Sequence, residues 1–598
     1  AKEPGSADML RELGQVKQAC RLGGHCFTDA TFQLSLNSKV TAVLRPQQIA
    51  RHEGRPPTPD WRLFRGMPCA DDVQQGELGD CWFLSSLAAL AEFQEGRFVH
   101  ALLPGQEALS ATGAYLVRLC LGGRWRGVVV DDKFPCIGGG MYYTQLAYCV
   151  TKRQQLWASV IEKGFAKVCG CYEAIRGGEA TEALEMLTGW PCTMLILGQP
   201  DFDPELLWAA LCSSRDAAFL MTCSTKKVNN QSLESDHVYS LMDVQEVTDA
   251  KGNLVRLLKI RNPHARSKWE GAWSDSSHLW TPQLRQELGC PEGGNPQVFF
   301  MPFEDFLREF AHCTICRIRS SEWHEAREPV RLPGGGEVPC VGVEVEAFEV
   351  TECCISLVQP GVRMRDGPFQ PRLEGPLASM GFVLLPLQSP GKGPPAAVAA
   401  AQLRHAATVS CDCWLQVGRY MLVPLSMHRG PALDATWAFV SSRRVKLKER
   451  TLDAHALRHA WAAYVRDSDP RGVSFHGATL RFGKSDSGTV VATAENLSDR
   501  YVQFSLAFRS EFLRFSRGTA EVADWLPPSY AQVLQLGQTS GTEDKPVTWK
   551  ETHTFQMTLQ GPNAPWHVPP LAQSGTAVEL HTPFPLSDPP IAVSCAQQ

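Results

Sequence analysis

The sequence predicts an α+β protein, with a two-lobed core of mixed helices and strands over residues 26–320 followed by all-β sandwich domains. Three observations predict it. Residues 81–92, CWFLSSLAALAE, are almost wholly apolar and open directly after a Gly-Asp step, which reads as a buried helix. The runs VYSLMDV after His237 and LVRLLKI before Asn262 alternate and are rich in β-formers, so strands follow the helical part. From Glu322 onward short β-rich runs recur between glycines and prolines, among them VGVEVEAFEV, CCISLVQP, GFVLLPL, CWLQVGRYMLVPL and TWAFVSSRRVKL, at the spacing of a sandwich.

Taken in order, residues 1–25 read as a polar helical lead-in and 26–178 as a first lobe with the 81–92 helix at its centre. IRGGEA at 175–180 supplies a glycine hinge into a second lobe, 179–320, where the helical segments TEALEML and PELLWAALC give way to the strands beside His237 and Asn262. Residues 321–450 form the first sandwich. The stretch QSPGKGPPAAVAAAQL at 388–403 reads as a disordered loop inside it. A helical connector, TLDAHALRHAWAAYVRD at 451–467, opens a last β-rich region, 451–598, that carries TVVATAENL, YVQFSLAF and THTFQMTLQ and reads as a further sandwich without a catalytic constellation.

Chemistry concentrates in QGELGDCWFL, residues 75–84. A thiol at a helix N-terminus feels unpaired backbone N–H groups and the positive end of the macrodipole, and both favour the thiolate. Most free cysteines are small buried hydrophobes, but the surrounding motif sets Cys81 apart from the other members of a set of 21. Gln75 lies where its amide can join the Cys81 N–H in holding an oxyanion. His237 and Asn262 sit at strand ends, where a rigid sheet can present an imidazole to the sulfur while an amide oxygen fixes its tautomer. Alone, His237 would be one of 16 histidines and Asn262 a turn former before Pro263; with Cys81 they form a Cys-His-Asn set of the papain-like kind.

QGELGDCWFL, HVYSLMDV, and KIRNP followed by WEGAWSD resemble the calpain protease core segment by segment, and FTDATF at 27–32, FAKVCGCYEAIRGG and VFFMPFEDFLREF agree. The resemblance covers about half the chain in detail. The remainder, with the Arg-Pro-Pro-Thr-Pro run at 55–59, looks most like the small-optic-lobes type, an unconventional calpain without EF-hands. It implies an intracellular cysteine endopeptidase performing limited proteolysis of protein substrates, in which Cys81 attacks, His237 moves the proton, Asn262 orients it and Gln75 helps hold the oxyanion. Trp82 is expected to shield the site. Two rivals stand beside that reading: a catalytically silent scaffold binding partners through its sandwiches, and a cysteine acyltransferase sharing the same chemistry. One departure keeps the scaffold reading in play: RNPHA stands where the family has RNPWG, so His264 and Ala265 replace a tryptophan and a glycine beside the site, which loosens the cleft wall, removes an obstruction to its closing, or is a neutral packing swap.

The resemblance also implies calcium sites in both lobes, with Asp72 and Asp275 as metal ligands, yet the sets look eroded. Gln155 replaces an acid in the first lobe, Lys268 replaces a glutamate in the second, and Pro296 and Val298 fall near a former acidic pair, with Glu292 as a substitute. Calcium takes six to eight oxygens, several of them carboxylates, so a lysine there repels it. The expectation is that no cofactor is required, that the second site is empty with Lys268 neutralising Asp275, and that the first is weak. Zinc is disfavoured, since His312, Cys313, Cys316 and the pairs Cys169/Cys171 and Cys411/Cys413 lack a second Cys-x-x-Cys at finger spacing.

At 598 residues and 44% hydrophobic content the chain can bury several cores, and a net charge of −5 gives no polyanion-binding signature, so nucleic acid is not an expected partner. No apolar run reaches the ~18–20 residues of a membrane helix and AKEPGSADMLRELGQ has no signal-peptide core. With an odd number of scattered cysteines, this predicts a cytoplasmic protein without membrane insertion. Protein substrates are expected, and a regulatory protein partner through the C-terminal domains. The chain opens on Ala1, and the resemblance implies a zinc-finger-bearing region upstream.

Overall fold

The computed structural model describes the chain except residues 1–5, 33, 35–38, 50–59, 139–144, 200–201, 227–231, 263–267, 292, 294, 296, 321, 333–339, 364–376, 388–395, 428–431, 486–487, 511, 540–548, 559–578 and 588–598. His264, Ala265, Glu292, Pro296 and the 55–59 proline run therefore lie outside the described residues. Two compact units result: Ala1–Arg319 with Arg363–Arg372, and Ser320–Val362 with Leu373–Gln598.

In the first unit the helix Cys81–Glu92 runs through the middle of a core, with every residue from Trp82 to Ala91 buried. That is why its sequence shows no polar face: a helix surrounded on all sides has no stripe to turn to water. Around it pack the helix Trp157–Val168 and the hairpin of Ala114–Leu121 with Arg124–Asp131, sharing Phe83, Leu87, Tyr115, Val117, Ile161 and Phe165. The second lobe is built on an antiparallel sheet of six strands in the order Val298–Pro302, Leu254–Arg261, Val238–Thr248, Leu220–Thr225, Phe310–Cys316 and Cys192–Ile196. Its core holds Trp208, Tyr239, Ile260, Phe299, Phe306 and Phe310. Because Val238–Thr248 and Leu254–Arg261 pair antiparallel with Ser240 opposite Arg261, the residue before one strand and the residue after the other meet at the same edge. Those residues are His237 and Asn262.

In the second unit a four-stranded sheet (His324–Leu332, Leu433–Ser441, Thr351–Val358, Thr408–Leu415) faces a five-stranded one (Ala399–His405, Ser379–Pro386, Gly418–Ser426, Cys340–Ala347, Val445–Leu452) over a core containing Ile355, Phe382, Leu422, Trp437 and Phe439. The helix Ala454–Ser468, capped by Asp453, leads into a second pair of sheets, built on Val490–Asn496 and Tyr530–Thr539 on one side and Tyr501–Arg509 on the other. Trp461, Tyr464 and Val465 of that helix share a core with Val383, Leu385 and Val423 from the first sandwich and with Val491, Val533, Leu536 and Leu580 from the second. One expectation is corrected here: Ala399–His405 is a strand, so the loop reading of 388–403 fails at its C-terminal end. The alanine run misled it. Ala399 and Ala401 are buried, and a Cβ on Gly381 of the neighbouring strand would stand 2.7 Å from the Ala401 carbonyl oxygen. Among the described residues no helix is long and apolar enough to cross a membrane, and the described cysteines are all free thiols.

Candidate active site

The turn before Cys81 is shaped by two glycines. At Gly76 a Cβ would stand 2.2 Å from the carbonyl oxygen of Ala147 and 2.3 Å from that of Tyr148, and Gly79 adopts φ +81, so neither position accepts a side chain cheaply. Gln75 ends the short strand Val73–Gln75, paired with Cys149, immediately before this turn. Cys81 is the first residue of its helix, with Asp80 as N-cap. Trp82 is 1% exposed; it points the other way, donates from Nε1 to the carbonyl of Ile175 at 2.9 Å and packs on Phe165. The expected shield is a core residue, since successive helical positions diverge by about 100°.

The two lobes meet along this helix. Ser85 Oγ donates to the carbonyl of Val238 at 2.8 Å. Arg261, 1% exposed, pairs with Glu92 at the helix end and with Asp71, and donates to Gln297 Oε1 at 2.7 Å. Burial raises the Glu92 carboxyl above its ordinary range although Arg261 opposes that shift. These contacts set the strand end that carries Asn262 against the helix that carries Cys81.

His237 and Asn262 are 3% and 0% exposed. Asn262 Oδ1 faces His237 Nε2 at 3.2 Å, and Asn262 Nδ2 donates to Glu234 Oε1 at 3.2 Å. A carboxylate accepts only, so it fixes the amide with its nitrogen toward Glu234 and its oxygen toward the ring. His237 Nε2 is therefore the protonated nitrogen of the neutral ring, and Nδ1 is the base. The ring's backbone is tied on both sides, its N–H to Thr225 Oγ1 and its carbonyl to the Thr225 N–H, each at 3.0 Å, and Tyr239 meets it edge-on at 4.9 Å.

The thiol itself departs from expectation. Burial, and secondarily the Asp80 carboxylate, push Cys81 up to about 11, against smaller lowering by the backbone N–H groups of Val238 and Trp82. Desolvation outweighs the helix N-terminus here, so a thiolate at neutral pH needs an imidazolium as its partner. Beside it lies a feature the sequence did not reveal: Glu162, 2% exposed, abuts Asp80, 0% exposed, and burial with that neighbouring charge holds Glu162 well above the carboxylate range. Burial and the Asp80 carboxylate thus favour the protonated form of Glu162, beside the residue that caps the nucleophile helix.

The expected metal ligands are each engaged by a side-chain cation. Asp72 Oδ1 accepts from Arg153 Nε at 2.8 Å and from Nη2 at 2.5 Å, its Oδ2 accepts from the Cys69 N–H at 3.1 Å, and Gln155 Oε1 accepts from the Arg65 N–H at 3.2 Å. Lys268 forms an ion pair with Asp275. Among the described residues these donors do not fit calcium: a guanidinium and an ammonium stand on the carboxylates, and one amide oxygen is already used. Arg153 was not singled out in the sequence; its only signal was a cation two residues before Gln155. Cys313 and Cys316 lie on a strand opposite Cys223 and Cys192, and among the described residues no three His, Cys, Asp or Glu side chains converge as a metal site.

Comparison with known proteins gives the decisive observation: the family model described as calpain family cysteine protease matches residues 27–317. Residues 27–317 form a calpain-family cysteine protease domain. The chain is 34% identical over 294 residues to the calpain-type cysteine protease ADL1 of Oryza sativa subsp. japonica, covering 47% of this chain and 13% of that protein. It is 33% identical over 307 residues to the calpain-type cysteine protease DEK1 of Arabidopsis thaliana (50% and 14%), and 29% identical over 321 residues to the calpain-2 catalytic subunit of Mus musculus (51% and 44%). It thus spans less than half the length of these calpain relatives.

Proposed function

We propose that this chain is a cysteine endopeptidase that cuts protein substrates at a limited number of accessible sites. The observation that carries the reading is the buried Asn262–His237 contact, placed by the antiparallel register and by Ser85–Val238 against the helix that begins with Cys81. In this reading His237 Nδ1 takes the Cys81 proton, the thiolate attacks the peptide carbonyl, and the Cys81 N–H with the Gln75 amide holds the oxyanion. The imidazolium then returns the proton to the leaving amine, and water, deprotonated by the same ring, releases the acyl group.

Within the calpain family we assign the chain to the small-optic-lobes type, supported by its β-rich C-terminal region and the Arg-Pro-Pro-Thr-Pro run at 55–59. Arg153 and Lys268 support a further part of the proposal, that calcium does not set the spacing of the lobes. The cytoplasm is the proposed compartment, and the C-terminal sheets the proposed docking site of a regulatory protein. To test the activity, the chain and its Cys81→Ser variant are incubated with unfolded and folded proteins and new termini are identified by mass spectrometry. New termini from the parent alone support it; equal cleavage by both removes Cys81 as the nucleophile, and cleavage by neither removes the reading in favour of a silent scaffold.

A further inference from the structure

We infer that Glu234 is a positioning residue of the active site, a fourth member behind Cys81, His237 and Asn262 whose carboxylate locks the Asn262 amide and favours the charged form of His237. The inference rests on the endopeptidase reading above and deepens it. Glu234 is not a chance surface neighbour. Its carbonyl accepts from Thr225 Oγ1 at 2.7 Å and its N–H donates to the Tyr239 hydroxyl at 3.0 Å. The same threonine accepts from the His237 N–H, and the same tyrosine meets the imidazole edge-on. Two side chains thus hold histidine and glutamate in one frame, and the Glu234 carboxylate reaches Asn262 Nδ2 at 3.2 Å.

An asparagine amide has two orientations that differ little in shape. Only one presents an acceptor to the ring; the other would set N–H against N–H and lose the tautomer the reaction needs. A carboxylate on the far side accepts from the amide nitrogen and can donate nothing, so it excludes the wrong orientation. Its negative charge, passed along the polarised amide, also stabilises the imidazolium of the ion pair.

Other charged groups lie near the site among the described residues. Asp80 and Glu234 both act on the Cys81 thiol and raise it. Arg261 is engaged by Asp71, Glu92 and Gln297. Lys226 donates from Nζ to the carbonyls of Leu307 and Arg308, at 3.3 and 3.1 Å. Asp236 is exposed in the turn between Glu234 and His237. The Glu234 carboxylate accepts from Asn262 Nδ2.

The test compares the parent with Glu234→Gln and Glu234→Ala, reading kcat/KM for cleavage across pH and, independently of substrate, the pH dependence of Cys81 alkylation by iodoacetamide, followed by mass spectrometry. Glutamine keeps an acceptor for Asn262 and removes the charge; alanine removes both. The expected result is an alkaline limb displaced to lower pH in both variants, with Glu234→Ala losing about tenfold at the optimum and Glu234→Gln recovering most of it. Limbs unmoved in Glu234→Gln, with a thermal midpoint equal to the parent's, overturn the inference, as does an alanine variant that loses stability alone. If Glu234→Ala does not fold, Glu234→Gln decides. Failure of the underlying reading looks different: the parent then cleaves nothing, or Cys81→Ser cleaves equally.

Discussion

Asn262 meets His237 with its carbonyl oxygen on Nε2 at 3.2 Å, leaving Nδ1 as the nitrogen that can serve a thiol. Base and orienting group therefore have unequal roles. His237→Ala is expected to reduce cleavage to the level of Cys81→Ser, because it removes the base itself. Asn262→Ala is expected to retain more, with a loss of roughly tenfold to a hundredfold in kcat/KM, since water can hydrogen-bond Nε2 with poorer orientation. Equal losses in steady-state kinetics would show that Asn262 does more than orient.

The Asp80–Glu162 pair predicts an asymmetry at a position remote from substrate. Glu162→Gln should be nearly neutral in activity and melting temperature, because an amide N–H replaces the carboxyl proton of Glu162. Glu162→Ala should cost about 1–3 kcal/mol by denaturant titration, since Asp80 loses a partner in a buried site. A glutamine variant as damaged as alanine would mean that Glu162 does not serve as the donor.

With Arg153 on Asp72 and Lys268 on Asp275, calorimetric titration should find no tight calcium site in the protease domain, and a chelator should leave cleavage unchanged. Arg153→Ala should lower the melting temperature by leaving Asp72, 1% exposed, without its cation. Cleavage that switches on at micromolar calcium would overturn this.

Two buried histidines make the second unit sensitive to acid. Burial lowers His459 to about 3 and His581 to about 4, from 6.5. His459 Nε2 has no partner among the described residues, and His581 is buried between Ser516 and the Val533 carbonyl. Below pH 6.5 the unfolded chain takes up protons that the folded chain refuses until its own lower values are reached. Stability should therefore fall as pH drops from about 6.5 to about 4, by on the order of 3 kcal/mol for each histidine. Thermal melts of His581→Gln should show a shallower decline.

Truncation tests the shared core of the second unit. Deleting residues 471–598 removes Val491, Val533, Leu536 and Leu580 from the face of Trp461, Tyr464 and Val465, so the product should aggregate or express poorly through exposed apolar surface. A monodisperse truncated chain in gel filtration would show that the helix finds other cover.

Much of the site was legible because its chemistry is local. Cys81 is marked by its place at the head of an apolar helix, and His237 and Asn262 by strand ends that an antiparallel register brings together. The thiol's elevation was not legible, since burial is set by packing from distant segments. Glu234, Arg153 and Glu162 were missed for a related reason: an acid or arginine in a turn or amphipathic helix reads as solvated surface until its partner, far away in sequence, is seen. The opposite error occurred at Trp82, where adjacency to the nucleophile suggested a shield and helical geometry turned the indole into the core. The β-rich runs gave away the sandwiches, whereas the alanine-rich Ala399–His405 strand did not, because alanine carries little β-signal.

Arg363 packs with the first unit. Its Nε lies 3.1 Å from Glu182 Oε1, its Nη2 donates to the Gly177 carbonyl at 2.9 Å, and its guanidinium stands 5.0 Å from the Trp82 ring, one residue from the nucleophile. It lies 181 residues after Glu182 in the chain. A ribosome therefore completes both lobes and several strands of the next region before it releases the residue that braces the back of the nucleophile helix. The nascent protein holds its cysteine, histidine and asparagine before the guanidinium that packs on Trp82 has been made.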